Sequence, residues 1–373
     1  TKQYMAALDS ISHFPATMIK FPFPAGKSRW LDDNQLLEIT KNLDFSKLGF
    51  YHISFTPPTN IRTPILLKHD EARKLVYDLI PGQGVYAHIE IQKAIKFGYK
   101  IDAIHKALVW DSECSTYFVD YMKKIIGFKF SESPLKRRMG KLMMNSLYGR
   151  MLYRDNFSKP INCTSLRDLQ SYHENNFLTY FDQINDNLIK IHGRSRSADR
   201  KGTPIHLGCY IMAYARSLML NFIEAIDPTL TNLSYYYTDN DSLFLEANNL
   251  EKFSNSGFIA DLSNNDKLSL AGQLKNDIKN GECIIKATFI KQKVYTYTYV
   301  DNNGAIKHVI KTTGIPRDFV SKNHEYILDT YFDQMKTIEF VNALGTRTYS
   351  SSIWEGMDYH ENDSCWYPYG YQF

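Results

Sequence analysis

Hydrophobic and polar positions change period several times along the chain, and each change marks an element. A short strand over Tyr4-Met-Ala-Ala-Leu8 ends at Asp9, and the run Ser-Ile-Ser-His-Phe-Pro leads into an apolar turn of helix. Prolines at Pro22, Pro24, Pro57, Pro58 and Pro64 then punctuate irregular connections. A helix over residues 87–97 puts Ile91, Ala94 and Ile95 on one side and closes at Gly98, a favourable residue just beyond a helix. A strand over residues 99–109 and a helix over 116–126 follow.

The next helix has the clearest start. Ser133 can cap it, Pro134 suits its first position, and Leu135, Met139, Leu142 and Met143 recur at helical spacing up to Gly149, which can end it. Residues 155–204 are polar and irregular, with a basic cluster at Arg194, Arg196, Arg200 and Lys201, and read as a protruding hairpin or loop insertion. A long helix over 206–226 repeats Ile211, Tyr214, Ala215, Leu218, Phe222, Ile223 and Ile226 every three or four residues and should pack under a sheet. Two hairpins follow. One turns at Asp239-Asn240, between strands 233–238 and 241–246; the other joins strands 288–300 and 305–312 through Asp301-Asn-Asn-Gly304. One more helix is expected near residues 324–340, ahead of an aromatic-rich irregular end.

Composition narrows the class without choosing a function. At 373 residues the chain is two to three domains long, and its 43% hydrophobic and 23% charged content is that of a globular protein. A net charge of +4 neither requires nor excludes a nucleic-acid partner. The 26 Tyr and 22 Phe stand out, since aromatic faces can grip bases and sugars as well as fill a core. Five cysteines without a C-x-x-C pair indicate neither a zinc site nor a disulfide framework, and a reducing compartment is expected. No apolar run is long enough to span a membrane, so a soluble chain is expected; its start, Thr1-Lys2-Gln3, is neither an initiator Met nor a signal peptide. Nothing in the sequence assigns an oligomeric state.

Three features could carry chemistry. Asp239 and Asp241 share a hairpin tip, and such acids are costly to bring together unless a cation neutralises them. If the strand ending at Asp9 is their neighbour, the three acids suit Mg²⁺, which takes one or two carboxylates plus substrate phosphates. Taken alone, the triplet reads more readily as a solvated turn than as a metal site. Secondly, Lys141, Asn145 and Tyr148 form one helical stripe that Arg137 extends by a turn, a face able to hold a triphosphate beside a base or sugar. Leu142, Met143 and Leu147 then supply the core. Thirdly, a strand running from Phe289 to Tyr299 puts Lys291, Lys293, Tyr295, Tyr297 and Tyr299 on one face. That face suits a phosphate backbone, and a cross-strand aromatic ladder explains it as well.

The order of these features is specific. Asp9-Ser-Ile-Ser-His-Phe-Pro-Ala resembles the family B DNA polymerase motif D-x-x-S-L-Y-P-S, and Lys141 to Gly149 matches K-x-x-x-N-S-x-Y-G. Tyr237-Thr-Asp239-Asn-Asp241-Ser242 resembles Y-x-D-T-D-S, and Lys293-Val-Tyr295 resembles K-x-Y. The long interval between Asp9 and Lys141 is similar to the protein-primed branch of linear plasmids, certain phages and adenoviruses. The resemblance implies an α+β right-hand polymerase. Its parts would be palm at 1–21, a terminal-protein-type insertion with palm elements at 22–125, fingers at 126–154, a second insertion at 155–204, palm at 205–313 and thumb at 314–373.

What the resemblance implies for residues is equally definite. Asp9 and Asp241, with the Ser10 carbonyl and Asp239 beside them, would hold two Mg²⁺ ions, for which Mn²⁺ can substitute. Lys141, Asn145, Tyr148, Phe14, Ser12, Arg137 and Lys129 would bind the nucleotide. Lys293, Tyr295, Thr238 and Ser242 would hold the primer strand. Primer-template DNA, dNTPs and a terminal protein are the implied partners, and a mitochondrial linear plasmid, or else a virus, is the implied setting. Phe14 replaces the usual Tyr, Asn240 the usual Thr, and His13 the usual Leu; for His13 the sequence offers no physical account. An exonuclease domain would lie upstream of Asp9, so no proofreading is expected of this chain. A catalytically silent DNA-binding remnant and a metal-dependent nuclease are the competing functions.

Overall fold

The computed structural model describes residues 5–70, 75–152, 160–195, 203–232, 234–253, 256–264, 266, 268–278, 282–313, 315, 317–333, 338–342, 345–349, 357–360 and 365–368. In chain order the first half forms β1 (Met5–Ser10), α1 (His13–Lys20), β2 (Phe23–Trp30), α2 (Asp33–Asn42), β3 (Gly49–Thr56), β4 (Lys68–His69), β5 (Leu75–Val76), β6 (Gly82–Ala87), α3 (His88–Lys96), β7 (Lys100–Cys114), α4 (Val119–Lys129) and α5 (Pro134–Leu152). The second half adds β8 (Ile161–Cys163), α6 (Leu166–Asn175), β9 (Asn176–Asn185), β10 (Leu188–Ser195), α7 (Ile205–Ile226), β11 (Tyr237–Asp239), β12 (Ser242–Glu246), β13 (Leu274–Asn276), β14 (Cys283–Lys291), β15 (Val294–Val300), β16 (Ile306–Lys311) and α8 (Arg317–Lys322).

The site-bearing sheet runs β11-β12-β1-β14-β15-β16, with β13 also paired to β1. Its register sorts side chains onto two faces, because residues directly opposite in an antiparallel pair project the same way. Leu8 faces Leu243, and with Leu245 they pack against Leu218, Phe222 and Ile223 of α7. The alternate residues Ala7 and Phe244 lie on the other face, clustered with Tyr237, Phe289, Tyr295, Tyr297 and Tyr299. The apolar stripe of α7 thus lies under the sheet as its period requires, and the open face is aromatic. No helix among the described residues is long and apolar enough to cross a membrane. Cys114, Cys163, Cys209 and Cys283 are free thiols.

Several expectations need correction. The strand over residues 289–299 is two strands: the chain reverses at Gln292-Lys293, with Lys291 facing Val294 and Lys293 at φ 61°. A non-glycine residue in the left-handed region hid that turn from a reading based on Gly and Asn. Helix α5 continues through Gly149 to Leu152 and buries Gly140, Met144 and Met151. Leu135, Met139, Leu142 and Met143, expected to seat the helix in the core, are exposed, and only Leu147 of the expected set packs inward. The proline-rich stretch supplies β2 and β3 of a four-stranded sheet, β2-β7-β3-β6, in which β3 buries every second residue, Tyr51, Ile53 and Phe55 among them.

Residues 161–195, expected as a polar, irregular hairpin or loop insertion, do hold a hairpin, β9–β10, but it is regular and is extended by β8 into a three-stranded sheet with α6, whose start Ser165 and Asp168 cap reciprocally. Of the basic cluster only Arg194 lies on a described strand; Arg196, Arg200 and Lys201 fall outside the described residues. The helix expected near 324–340 is a turn at His324–Tyr326 running into a π-helical segment, Ile327–Asp333, and strand Ile338–Asn342 then pairs with Gly345–Tyr349. Strand β7 extends to Cys114 and α4 starts at Val119, three residues later than the pattern suggests.

Candidate active site at the acidic end of the sheet

The central strand β1 carries Asp9 opposite Ser242, and β11 carries Asp239 opposite the same Ser242. Register therefore places both acids on the aromatic face, at the same end of the sheet. Between them Asn240 takes φ 49°, a conformation that Asn tolerates well, so the residue that departs from the usual Thr suits its turn. The Ser10 N–H donates to the Asp241 carbonyl at 2.7 Å, binding the hairpin tip to the end of β1. Ser242 Oγ donates to the Asp239 carbonyl, and Thr238 Oγ1 to the Ser242 carbonyl, closing the turn from both sides.

The carboxylates are electrostatically crowded. Burial, then the charges of Asp9 and Asp239, push Asp241 up to about 6. Burial also raises Asp239, against the pull of Lys293 and of hydrogen bonds from Gln292 and Tyr237. One oxygen, Asp239 Oδ1, is buried without a hydrogen-bond partner among the described residues. Unpaired oxygens and raised acids are what a hard cation would relieve, so this donor set fits a divalent ion of the Mg²⁺ type. Among the described residues no three His, Cys, Asp or Glu side chains are placed to hold a metal ion by themselves, so an ion here would need further oxygens beyond these side chains.

The start of α1 joins this end of the sheet to α4 and α5. Ser12 sits at φ 51° and accepts a hydrogen bond from Lys129 Nζ at the end of α4. Burial, then the nearby Lys141 charge, depress the Lys129 ammonium, while Asp9 opposes them, so two expected phosphate contacts share one neighbourhood with an expected metal ligand. Phe14 stacks on Tyr148 with centroids 4.4 Å apart and planes 26° from parallel. Gly140 permits the close approach of α5: a Cβ there would lie 2.6 Å from the Lys129 backbone nitrogen. Lys141 and Asn145 are exposed on α5, as is Arg137, whose guanidinium reaches the Glu132 carbonyl at 3.4 Å.

Lys293 and Tyr295 do not share the long strand face expected of them. Lys293 lies in the turn, where its N–H donates to the Tyr237 hydroxyl at 2.8 Å. Tyr295 belongs to the aromatic cluster, 5.2 Å from Tyr237 between centroids, and burial lifts its hydroxyl to about 12. The ladder explanation thus holds for the rings, and the turn delivers the lysine to the acidic hairpin.

The structure also supplies what the sequence could not. His13 is buried, with Nδ1 2.9 Å from Ser10 Oγ and Nε2 3.0 Å from the Ala215 carbonyl. Nε2 must donate to that carbonyl, so Nδ1 accepts from Ser10: the imidazole pins the β1 end to α7 where Leu could only pack. Burial lowers it to about 4, keeping it neutral. Lys275, absent from the sequence-derived set, ion-pairs with Asp9 at 3.1 Å. Only the three-residue β13 pairing brings them together, and no local motif signals it.

Comparison with known proteins agrees with this geometry. The family model for DNA polymerase type B, organellar and viral, matches residues 2–226. A probable DNA polymerase of Neurospora intermedia is 29% identical over 147 residues, covering 38% of this chain and 15% of that protein. An uncharacterized protein of Invertebrate iridescent virus 3 is 26% identical over 127 residues, 33% of this chain and 75% of that one. Among solved structures, phi29 DNA polymerase complexed with primer-template DNA and incoming nucleotide superposes with TM-score 0.64 at 15% identity, covering 94% of this chain and 58% of that one. Its complex with single-stranded DNA gives 0.62 at 15% identity. This chain thus spans little more than half of the phi29 chains it matches and far less of the Neurospora protein. The likeness to phi29 polymerase establishes the right-hand polymerase fold. With the family match covering more than half of its length, the chain belongs to the organellar and viral type B DNA polymerases.

Proposed function

We propose that this chain carries out template-directed DNA synthesis. A primer 3′-hydroxyl, or a terminal-protein hydroxyl at initiation, attacks the α-phosphate of a dNTP; the new P–O bond forms as the bond to pyrophosphate breaks. The observation that carries this reading is the convergence at α1: Asp9 and the Asp239–Asp241 tip meet the Lys129 end of α4 and the Tyr148 face of α5.

Asp9 and Asp241, with the Ser10 carbonyl and Asp239 beside them, are the residues to hold two Mg²⁺ ions, the remaining ligands coming from phosphate and water. Bound there, the ions would activate the attacking hydroxyl and neutralise the leaving phosphates. Lys129, Lys141 and Arg137 bind the triphosphate, and Ser12 keeps Lys129 turned towards it. Asn145 and the stacked Phe14–Tyr148 pair line the nascent base pair, where the Phe14 ring bars a ribose 2′-hydroxyl. Lys293, Thr238 and Ser242 face the primer backbone, with Tyr295 supporting the Lys293 turn.

Protein priming rests on the long insertion between the first two motifs and on the branch resemblance. A mitochondrial linear plasmid is the proposed setting, with a virus as the alternative; the organellar and viral family supports both. The test is primer extension: the purified chain with primed template, dNTPs and Mg²⁺ extends the primer, and Asp241→Ala abolishes extension. Equal extension by both overturns the site. Binding without incorporation in Mg²⁺ or Mn²⁺ indicates a silent remnant, and DNA degradation without incorporation a nuclease. A covalent dNMP adduct on a cognate terminal protein supports protein priming, and strict dependence on a nucleic-acid primer opposes it.

A further inference from the structure

Strand β13 places Lys275 directly opposite Asp9, on the same face of the sheet. The ammonium is shared: Nζ lies 3.1 Å from Asp9 Oδ2 and 2.5 Å from Asp277 Oδ1. Both carboxylates stand on fixed backbone, since Asp9 is paired on two sides and the Asp277 N–H donates to the Ala7 carbonyl at 2.8 Å. Lysine, by contrast, carries its charge on a flexible four-carbon stem. Its side chain is 36% exposed, which leaves room to pivot between the two acids. Burial disfavours a charged Lys275, yet the hydrogen bond to Asp277 and the Asp9 charge outweigh it and raise its pKa.

The same Asp9 carboxylate that would ligate a divalent ion is therefore already paired with a cation of the protein. Without a counter-charge, Asp9 would face Asp239 and Asp241 across the hairpin with like charge. An incoming ion at Asp9 repels the ammonium, and Asp277 offers it a second partner within reach, so it is not left buried and unpaired. We propose that Lys275 is the built-in counter-cation of the acidic site, holding Asp9 when no divalent ion is bound and passing to Asp277 when one binds.

This inference rests on the reading of Asp9 and Asp241 as metal ligands, and one experiment separates the two. Mn²⁺ binding to the purified chain is followed by electron paramagnetic resonance for wild type, Lys275→Met, Lys275→Arg, Asp277→Asn, Lys275→Met/Asp277→Asn and Asp9→Asn. Removing the competing charge in Lys275→Met tightens Mn²⁺ binding by about three- to tenfold. Lys275→Arg keeps the charge and stays within about twofold of wild type. Asp277→Asn strands the ammonium on Asp9 and weakens binding by about threefold. The double variant behaves like Lys275→Met, because Asp277 acts only through Lys275. A lysine serving only as a structural strap would weaken binding, or leave it unchanged, when removed, and either result overturns the inference. So does a double variant that keeps the full Asp277→Asn loss, the mark of Asp277 as a ligand. If Lys275→Met does not fold, unchanged binding in Asp277→Asn overturns it alone. Wild-type affinity in Asp9→Asn overturns the metal-site reading, and the inference with it.

Discussion

Asp9 and Asp239 stand on strands whose pairing settles their positions, and Asp241 sits in the turn beside them, held by the Ser10 N–H, against a sheet backed by α7; the acids are half-buried and mutually repelling. Lys141 and Asn145 project into solvent from α5, a helix that buries only Gly140, Met144 and Met151 along its length. One half of the site is thus fixed by strand pairing and electrostatically strained, and the other is lightly anchored and exposed. Substitutions in the sheet should therefore change chemistry and stability together, in opposite directions, whereas substitutions on the exposed face of α5 should change chemistry alone.

The largest expected effect breaks the strained half. Asp241→Asn should lower single-nucleotide incorporation by about 10³-fold or more, on the scale of lost electrostatic catalysis. It should also stabilise the cation-free protein by about 1–2 kcal/mol, allowing for partial exposure, since it removes the buried charge, and with it the repulsion from Asp9 and Asp239, that raise the pKa. Urea unfolding in EDTA beside an incorporation assay checks both signs. A matching loss of stability would count against the strain.

Anchoring comes next. Gly140→Ala must push α5 away from the backbone at Lys129, so a destabilisation of about 1–3 kcal/mol and a lower Tm are expected. Lys141→Ala, one position further along the same helix, should leave Tm within about 1 °C, as exposed substitutions do, while raising the dNTP concentration for half-maximal incorporation by about tenfold or more. A Tm change as large as that of Gly140→Ala would erase the contrast between the halves.

Protons sharpen the comparison further. His13 and His88 are both held near 4 by burial. Between pH 6.5 and about 4 the unfolded chain binds protons that these folded imidazoles refuse, so their contribution to stability is lost as pH falls. Asp241 acts the other way, since the folded state takes up its proton first between about 6 and 3.8, which favours folding as pH falls. Two histidines outweigh one half-buried acid, so cation-free stability should fall across this window, and His13→Leu should flatten the fall; chemical denaturation at several pH values tests it. The smallest effect is that of Tyr237→Phe. It removes the acceptor of the Lys293 N–H and should cost about 0.5–1.5 kcal/mol.

The same two regions show how much could be read from sequence. The acidic hairpin and the strand bearing Asp9 were legible because their chemistry is local: a polar turn between alternating strands, and an acid at a strand end. Lys275 was not, because a three-residue strand far along the chain delivers it, and neither period nor motif announces β13. In α5 the polar stripe was legible and the apolar one misled. Periodicity assumes that Leu135, Met139 and Leu142 are buried, whereas this helix is seated through a glycine and two methionines. The 289–299 stretch failed for a backbone reason, since Gln292-Lys293 turns without Gly or Asn. His13 became intelligible only when its Ala215 partner, far along the chain on α7, was in view.

The most direct test of the central claim, that the two halves serve one nucleotidyl transfer, is single-turnover incorporation of one dNTP, measured against dNTP concentration for wild type, Asp241→Asn and Lys141→Ala. Wild type should incorporate in a divalent-ion-dependent burst. Asp241→Asn should lose the maximal rate, and Lys141→Ala should chiefly demand more dNTP. Wild-type curves from both variants, or no incorporation by any of the three at any Mg²⁺ or Mn²⁺ concentration, would contradict the account.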